Sequence, residues 1–239
     1  MTSTPDMIIN GQPMEVMTTP PTPELILDYL SDPKVVKDLI YELNVEIGFC
    51  PILRNLRRER DYGVISGDCI TFRELGKEDR NEVFVYLGRI LESVLTCLLA
   101  KSDYKFEVKK DRSSSGDVTI NERTWEIKGT SGDNSWTGST HATKKEDASI
   151  DFIGVKYGLN EDINVFDIFS GDVKLIDELF IGIFDQLNFI RRGKATSNSS
   201  RTSLLISKDD YDTVKGKVAW GNFRYPKGGS SKYLYFETA

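Results

Sequence analysis

Apolar residues recur at helical spacing through much of the first hundred positions. The longest pattern covers Asn81–Ala100, where apolar side chains return every three or four residues, and this spacing predicts a helix with one face against a core. Shorter patterns predict helices at Pro23–Leu30, Lys34–Ile47 and Pro51–Arg60. Residues 1–21 lack periodicity and are rich in Thr, Pro and Met, so we expect a flexible arm there.

Strand patterns dominate the rest of the chain. Short apolar or alternating runs between turn residues predict strands at Tyr104–Val108, Asp117–Ile120, Thr124–Lys128, Ser149–Tyr157, Val165–Phe169, Leu179–Phe184, Thr202–Ile206, Lys217–Trp220 and Tyr233–Phe236. A short helix is predicted near Asp209–Val214. We therefore expect an α/β (mixed α+β) fold in which one central mixed sheet is flanked by helices. The length fits a single domain over residues 22–239, with a helical arm at 22–60 and a core at 78–239.

The segment Gly116–Gly129 carries the most informative pattern in the chain. It alternates apolar and polar residues on both sides of Asn121–Glu122, which predicts two strands joined by a two-residue turn. In that register position 120 pairs with 123, so Asp117 pairs with Glu126 on one face of the hairpin. Lys128 lies on the same face, two residues further along.

Two acids side by side repel each other unless a cation lies between them. Oxygen ligands at this separation suit a hard cation such as Mg2+. Alternatively, the three side chains form a charge cluster on an exposed hairpin face. Other segments with an acid two positions before a lysine lack a hairpin that would bring a second acid close; these are Asp32–Lys34, Glu107–Lys109 and Asp172–Lys174.

Asp117 followed by Glu126-Ile127-Lys128 resembles the catalytic core of the PD-(D/E)xK nuclease superfamily, and of type II restriction endonucleases in particular. Gly116 stands where these nucleases usually have proline. The resemblance covers residues from about 87 to 157. It implies a restriction-endonuclease-like sheet and Mg2+ bound by Asp117, Glu126 and the carbonyl of Ile127. It also implies that Lys128 orients, or helps to deprotonate, the attacking water.

The long predicted helix contributes one more candidate. Glu92 lies at the border of the apolar stripe of that helix. In nucleases that this chain resembles, a helix before the first core strand often carries a glutamate directed at the metal site, and Glu92 occupies such a position. Alternatively, Glu92 is a surface residue half paired with Arg89.

Two polar segments are candidates for DNA contacts. The segment Thr130–Lys145 has almost no aliphatic residues, so we expect a loop outside the core that reads base edges in a groove. Its candidate residues are Asn134, Trp136, Ser139, Thr140, His141 and Lys144. The second segment covers residues 191–201, with candidates Arg191, Arg192, Asn198 and Arg201. Alternatively, both are polar loops without base contacts.

Composition excludes several other classes of protein. The net charge is −6, with 31 basic and 37 acidic residues, but the bases cluster around the predicted acidic site, and DNA binding depends on such local clusters. With a single histidine, His141, a zinc site built from several histidines is excluded. Three widely spaced cysteines without a Cys-x-x-Cys pair indicate a reducing compartment. No apolar run reaches the roughly 18 residues of a membrane span.

The resemblance to type II restriction endonucleases therefore implies a site-specific deoxyribonuclease that cuts double-stranded DNA at a short palindromic sequence with Mg2+. A palindromic site favours a homodimer, and we expect residues 22–60 to form the dimer surface. The resemblance also implies the cytoplasm of a prokaryotic cell. Two alternatives stay open, namely a repair or junction-cleaving nuclease of the same fold and a DNA-binding module without catalysis.

Overall fold

The helices of the computed structural model follow the predicted ones closely. The structure describes residues 22–67, 69–110, 116–139, 150–170, 173–185, 188–192, 201–225 and 232–239, so the predicted arm at 1–21 lies outside it. The described helices are α1 (Thr22–Leu30), α2 (Pro33–Ile47), α3 (Pro51–Asp61), α4 (Lys77–Lys101) and α5 (Tyr211–Val214). The start of α2 shows why they form, because Asp32 caps the backbone N–H of Lys34 at 2.8 Å and Pro33 occupies the first turn.

The described strands are β1 (Val108–Lys109), β2 (Val118–Ile120), β3 (Arg123–Thr130), β4 (Trp136–Ser139), β5 (Asp151–Leu159), β6 (Ile176–Asp185), β7 (Ile190–Arg192), β8 (Arg201–Leu205), β9 (Val218–Trp220), β10 (Asn222–Arg224) and β11 (Tyr235–Glu237). Six of them form the central sheet in the order β1-β2-β3-β5-β6-β9. Only β3 and β5 are parallel neighbours in it. The protein therefore has the predicted mixed α+β fold with a mixed central sheet.

The first helices belong to the core of the domain. α1 and α2 pack on β6, and α4 packs on β3 and on α2. Ile26 of α1 and Leu39 of α2 lie in one buried cluster with Ile153 and Ile181 of the sheet. The helices predicted at 22–60 thus include two, α1 and α2, that pack on the sheet; their amphipathic pattern indicated a buried face without indicating what covers it.

The composition of α4 alone does not indicate its environment, but its contacts do. It is the one helix in the described ranges that is long and apolar enough to cross a membrane. Its apolar face is instead buried in the core, through Val83, Leu87, Ile90, Leu91, Val94, Leu95 and Leu99. These contacts are those of a helix in the core of the domain.

The opposite face of the central sheet carries a second, aromatic cluster. Phe152, Phe180 and Phe184 project from β5 and β6 into it. Two small sheets cover this face, one with the order β4-β8-β7 and one formed by β10 and β11. The predicted strands at Thr202–Ile206 and Tyr233–Phe236 exist, but they lie in these small sheets and not in the one central sheet that the sequence predicts.

Two further strand predictions fail for local reasons. Residues Val165–Phe169 do not form a strand; a 3-10 turn occupies Asp167–Ser170, because the side-chain Oδ1 of Asn164 accepts the N–H of Phe166 at 3.2 Å and turns the chain. The strand predicted at Tyr104–Val108 is reduced to β1, because Lys105 has a φ of 53°, which a strand does not accommodate.

Candidate active site

The predicted hairpin forms with the predicted register. Asn121 and Glu122 have φ angles of 48° and 66°, as a type I′ turn requires, and this turn matches the twist of the strands that it joins. Ile120 pairs with Arg123, and Val118 pairs with Trp125. The apolar face, with Trp125 and Ile127, is buried against the helices.

Asp117 departs from the predicted pairing in an informative way. Its N–H donates to the carbonyl oxygen of Trp125 at 2.9 Å, although Trp125 already pairs with Val118. Two residues of one strand thus face one residue of the other, which is the arrangement of a β-bulge, and bulges redirect side chains. The direct pairing of Asp117 with Glu126 is therefore wrong, and the Asp117 carboxylate turns along β3 to accept the N–H of Ile127 at 2.8 Å.

Gly116 is required by the close approach of the two strands at this bulge. A Cβ at position 116 would lie 2.4 Å from Cγ2 of Thr124 and 2.9 Å from the carbonyl oxygen of Trp125. Proline also carries a Cβ, so it would meet the same atoms. The glycine at this position is thus a consequence of the packing of this hairpin.

Lys128 joins the two acids. Its Nζ lies 3.0 Å from Oδ2 of Asp117 and 2.6 Å from Oε1 of Glu126. The group is largely withdrawn from solvent, since the side chains of Asp117, Glu126 and Lys128 are 20%, 6% and 21% exposed. The three side chains of the sequence motif therefore meet at one place, at the border between β2 and β3, and they do not form an exposed charge cluster.

Burial gives this group unusual electrostatics. Burial raises the pKa of Glu126 above its ordinary value, and Asp117 adds to the rise while Lys128 opposes it. Burial alone would lower the pKa of Lys128, but the two carboxylates outweigh burial and hold that pKa above its ordinary value. Two acids and one base leave a net negative charge in a poorly solvated place, which costs free energy and favours a further cation.

Glu92 lies close enough to feel the same charges. Burial raises its pKa, Asp117 adds to the rise, and Lys128, Lys110 and Arg89 oppose it. Within the described residues the Glu92 carboxylate forms no hydrogen bond or ion pair, with Arg89 or with any other side chain. It is half-buried on α4, so the structure places it beside the site and unpaired.

Replacement of Glu92 by glutamine is expected to raise the free energy of unfolding at pH 7. The folded-state pKa of Glu92 lies above the unfolded value of 4.5. The ionised carboxylate therefore destabilises the folded protein at pH values above its folded-state pKa. At pH values well below 4.5 the carboxyl is protonated in both states, and the effect is absent. The gain should shrink toward zero as the pH falls to about 4. Denaturant unfolding from pH 4 to 8 measures it. Glu82→Gln, at an exposed position of the same helix, is the control, and an equal gain in both variants would contradict the placement of Glu92.

The donor set at this site fits a divalent cation. Ile127 directs its N–H at Asp117, and in a strand the C=O of a residue points to the same side as its N–H. The Ile127 carbonyl thus faces the side where the two carboxylates lie. In the described ranges no three His, Cys, Asp or Glu side chains form a metal-binding group, so a cation here would use two carboxylates and this carbonyl.

Trp136 is a core residue and does not contact DNA, so that prediction is wrong. Its side chain is 0% exposed, its Nε1 donates to the carbonyl oxygen of Val155 at 3.0 Å, and its ring stacks on Phe236 at 4.0 Å. Gly154 lies directly under the ring, since a Cβ there would approach it to 2.6 Å. Trp136 thus fills the aromatic cluster. The sequence did not indicate this, because the residues around Trp136 are polar and the segment has almost no aliphatic side chains.

Truncation of Trp136 tests this assignment. Trp136→Ala is expected to lower the free energy of unfolding by about 3–5 kcal/mol, the usual cost of removing a large buried aromatic side chain. Trp136→Phe should lose part of that amount, because it keeps a ring but no N–H for Val155. Chemical denaturation measures both. Unchanged stability together with altered DNA selectivity would contradict this assignment and indicate that Trp136 contacts DNA.

Both polar segments contribute to one small sheet, β4-β8-β7. Ser139, the last residue of β4, pairs with Arg201, the first of β8, and Arg192, the last of β7, pairs with Ser203. Both segments thus join this sheet at the same end. Of the predicted DNA contacts, Asn134 is half-buried before β4, and Arg191 lies in β7. Four of the candidates, Thr140, His141, Lys144 and Asn198, lie outside the described residues.

Sequence reasoning missed two residues that support the site. Lys156 on β5 donates to Oδ1 of Asp133 and to the carbonyl oxygen of Phe236, both at 3.0 Å, which fixes the loop before β4. Tyr157 is buried beside Gly129, where a Cβ would lie 2.0 Å from its hydroxyl. In the sequence, Gly129 directly after Lys128 was the one signal of the Tyr157 contact, since a glycine there indicates that another group approaches the strand closely.

No protein-family model matches the chain, and a search of curated proteins finds no match. Membership of a family thus depends on the residues of the motif alone and remains a proposal.

Proposed function

We propose that this chain is a type II restriction endonuclease, which hydrolyses phosphodiester bonds of double-stranded DNA at a short palindromic sequence with Mg2+. The observation that carries the proposal is the convergence of Asp117, Glu126 and Lys128. Their order along the chain resembles the PD-(D/E)xK motif, and their side chains meet within 3.0 Å of one lysine nitrogen.

A purely structural ion pair explains this group less well. Lys217 and Asp185 show the ordinary arrangement, one base 2.8 Å from one acid. Lys128 instead serves two acids, the buried Glu126 and the half-buried Asp117, and Glu92 adds a third negative charge nearby. Buried like charges that shift a pKa are more typical of functional sites than of structural ones.

Each residue has a role that follows from its chemistry. Asp117, Glu126 and the carbonyl of Ile127 would hold the Mg2+, which when bound stabilises negative charge on the phosphate and the leaving oxygen. The Lys128 ammonium can only donate hydrogen bonds, so it orients the attacking water and stabilises the charge that develops on it. Glu92 is placed to hold a proton or a water beside the site.

DNA contacts are assigned to the face of the central sheet that carries Glu126 and Lys128. Lys128 pairs with Gly154, and Gly154 supports Trp136 of β4, so the β4-β8-β7 sheet lies over that face. Both polar segments leave this sheet at one end, where they would contact the same stretch of DNA. We assign base reading to Asn134, Ser139, Thr140, His141 and Asn198 and phosphate contacts to Lys144, Arg191, Arg192 and Arg201. Cutting both strands of a palindrome favours a homodimer, and such an enzyme would work in the cytoplasm of a prokaryotic cell.

Incubation of the purified protein with a plasmid of known sequence and Mg2+ tests the proposal. Discrete fragments are expected, and their formation should stop in EDTA. A smear would indicate a nonspecific nuclease, and cleavage of branched but not linear duplexes would indicate a junction or repair nuclease. Sequence-specific binding without cleavage in any divalent cation would indicate a DNA-binding module; the last three results each contradict the proposal.

A further inference from the structure

The Lys128 ammonium occupies the position that a cation bound by both acids needs. Its Nζ lies 3.0 Å from Oδ2 of Asp117 and 2.6 Å from Oε1 of Glu126, and its side chain is only 21% exposed. A Mg2+ ion held by the same oxygens would lie about 2.1 Å from each of them. Two positive charges so close together repel strongly where little water screens them. A metal ion therefore has to displace the ammonium from at least one of the two carboxylates.

A displaced ammonium needs another partner, because a poorly solvated charge without one costs free energy. Glu92 of α4 can supply it. In the described part of the chain, the half-buried carboxylate of Glu92 forms no ion pair. Glu92 is thus an acid beside the site that has no contacting base.

Contacts of Tyr157 hold the Glu92 stretch of α4 beside Lys128. The Tyr157 hydroxyl donates to the carbonyl oxygen of Leu87 at 3.4 Å. The same hydroxyl lies against Gly129, where a Cβ would approach it to 2.0 Å. Leu87 precedes Glu92 on one helix, and Gly129 directly follows Lys128 on β3. These contacts fix the helix that carries Glu92 against the strand that carries Lys128.

An open edge of β3 lets a side chain of α4 approach Lys128. Lys128 projects from the face of the sheet that lies away from the helices, since its neighbour Ile127 is buried against them. β2 pairs with β3 only as far as Trp125, so among the described strands none is paired with β3 at Lys128 on that side. Burial raises the pKa of Glu92, and Lys128 opposes the rise, which indicates that the Glu92 carboxylate lies toward this edge.

We infer that Lys128 alternates between two partners: it bridges Asp117 and Glu126 when no metal is bound, and its ammonium moves to Glu92 when a divalent cation binds there. Glu92 is then a positioning residue, which strengthens metal binding by receiving the displaced lysine. The ammonium stays beside the site, where the proposed attack on phosphate needs it. The inference rests on the proposed function only in that it requires a divalent cation at the two acids.

Two other roles for Glu92 predict different energetics. As a metal ligand, or as a nearby negative charge, Glu92 would strengthen metal binding whether or not Lys128 is present. As the acceptor of the displaced ammonium, it strengthens metal binding only when Lys128 is present. A double-mutant cycle between positions 92 and 128 separates these cases, because such a cycle measures the interaction of the two residues.

Mn2+ binding to the full chain, followed by the electron paramagnetic resonance signal of the free ion, measures each dissociation constant without DNA. Mn2+ takes the same oxygen ligands as Mg2+. Lys128→Met is expected to bind Mn2+ about tenfold more tightly than the wild type, because the ion no longer breaks a charged hydrogen bond. Glu92→Gln is expected to bind it about threefold to fivefold more weakly, as for loss of a partly exposed ion pair. The variant with both substitutions should match Lys128→Met within about twofold.

Two controls remove the same charges elsewhere. Glu82→Gln changes an exposed acid of α4, and Lys109→Met changes an exposed lysine of β1 that pairs with Glu107. Both are expected to leave the Mn2+ constant within about twofold of the wild-type value. Lys128→Gln, which keeps a neutral hydrogen-bond donor, takes the place of Lys128→Met if that variant does not fold, and the same tightening is expected.

The possible outcomes separate this inference from the proposed function. Equal weakening by Glu92→Gln in both backgrounds, or no tightening by Lys128→Met, would overturn the inference and leave the nuclease proposal standing. A cycle that behaves as expected in a protein that leaves plasmid uncut would overturn only the nuclease. No Mn2+ binding by the wild type or by Lys128→Met would overturn both, because both require the metal ligands.

Discussion

Replacement of Asp117 by asparagine is expected to abolish DNA cleavage while the protein stays folded and still binds its DNA. Asparagine has the shape of aspartate and can accept the N–H of Ile127 through its side-chain oxygen, but it has no negative charge for a divalent cation. Losing that charge should lower the rate by about 10²–10³-fold or more, as loss of a transition-state contact typically does. Single-turnover cleavage in Mg2+ and DNA binding in Ca2+ measure the two effects.

The control for this variant is Asp185→Asn. Asp185 also has a lysine within 2.8 Å, but it lies at the end of β6, two strands across the central sheet from β3. Its substitution should leave the cleavage rate unchanged, whereas Glu126→Gln should behave as Asp117→Asn does. A full cleavage rate in either motif variant would rule out the proposed metal ligands.

The hairpin could be predicted from the sequence because its signals are local. The alternation of apolar and polar residues and the two-residue turn determine which residues pair, and the observed register agrees. The bulge at Asp117 could not be predicted in this way. It depends on how closely Gly116 approaches Thr124 and Trp125, and such a contact is set by packing.

The aromatic cluster shows a second limit of sequence reasoning. Trp136 occurs in a stretch of polar residues, so its surroundings in the chain resemble a surface loop. Its partners, Phe152 and Phe236 among them, come from distant positions, and no periodicity connects them. For the same reason the amphipathic pattern predicted α1 and α2 but not their place in the core.

The candidate site is the place where the local rules of stability are broken. The Glu126 side chain is 6% exposed and shares the cation Lys128 with Asp117. The free-energy cost of this arrangement is offset by the two hydrophobic clusters that enclose the sheet. Such a conflict is expected where residues are retained for chemistry, and Mg2+ would relieve it.

Replacement of Lys128 by alanine separates a catalytic role from a structural one. Cleavage is expected to fall by about 10²–10³-fold, because the water loses the ammonium that orients it. Stability should also fall at neutral pH, since the buried Glu126 and the half-buried Asp117 lose their cation. Without Lys128 the pKa of Glu126 rises further above the unfolded value, so the folded protein binds a proton more tightly and the loss of stability grows as the pH rises.

Mg2+ provides the deciding measurement for this variant. A cation bound between Asp117 and Glu126 replaces the lost charge, and a ligand at about 100 times its dissociation constant stabilises the folded state by about 2.7 kcal/mol. Mg2+ is therefore expected to restore the thermal stability of Lys128→Ala without restoring cleavage. Lys215→Ala, at an exposed lysine that pairs with Asp212, should change neither property. If Mg2+ restores neither stability nor cleavage, Lys128 is only a structural ion-pair partner; if Lys128→Ala cleaves at the wild-type rate, the lysine does not orient the water.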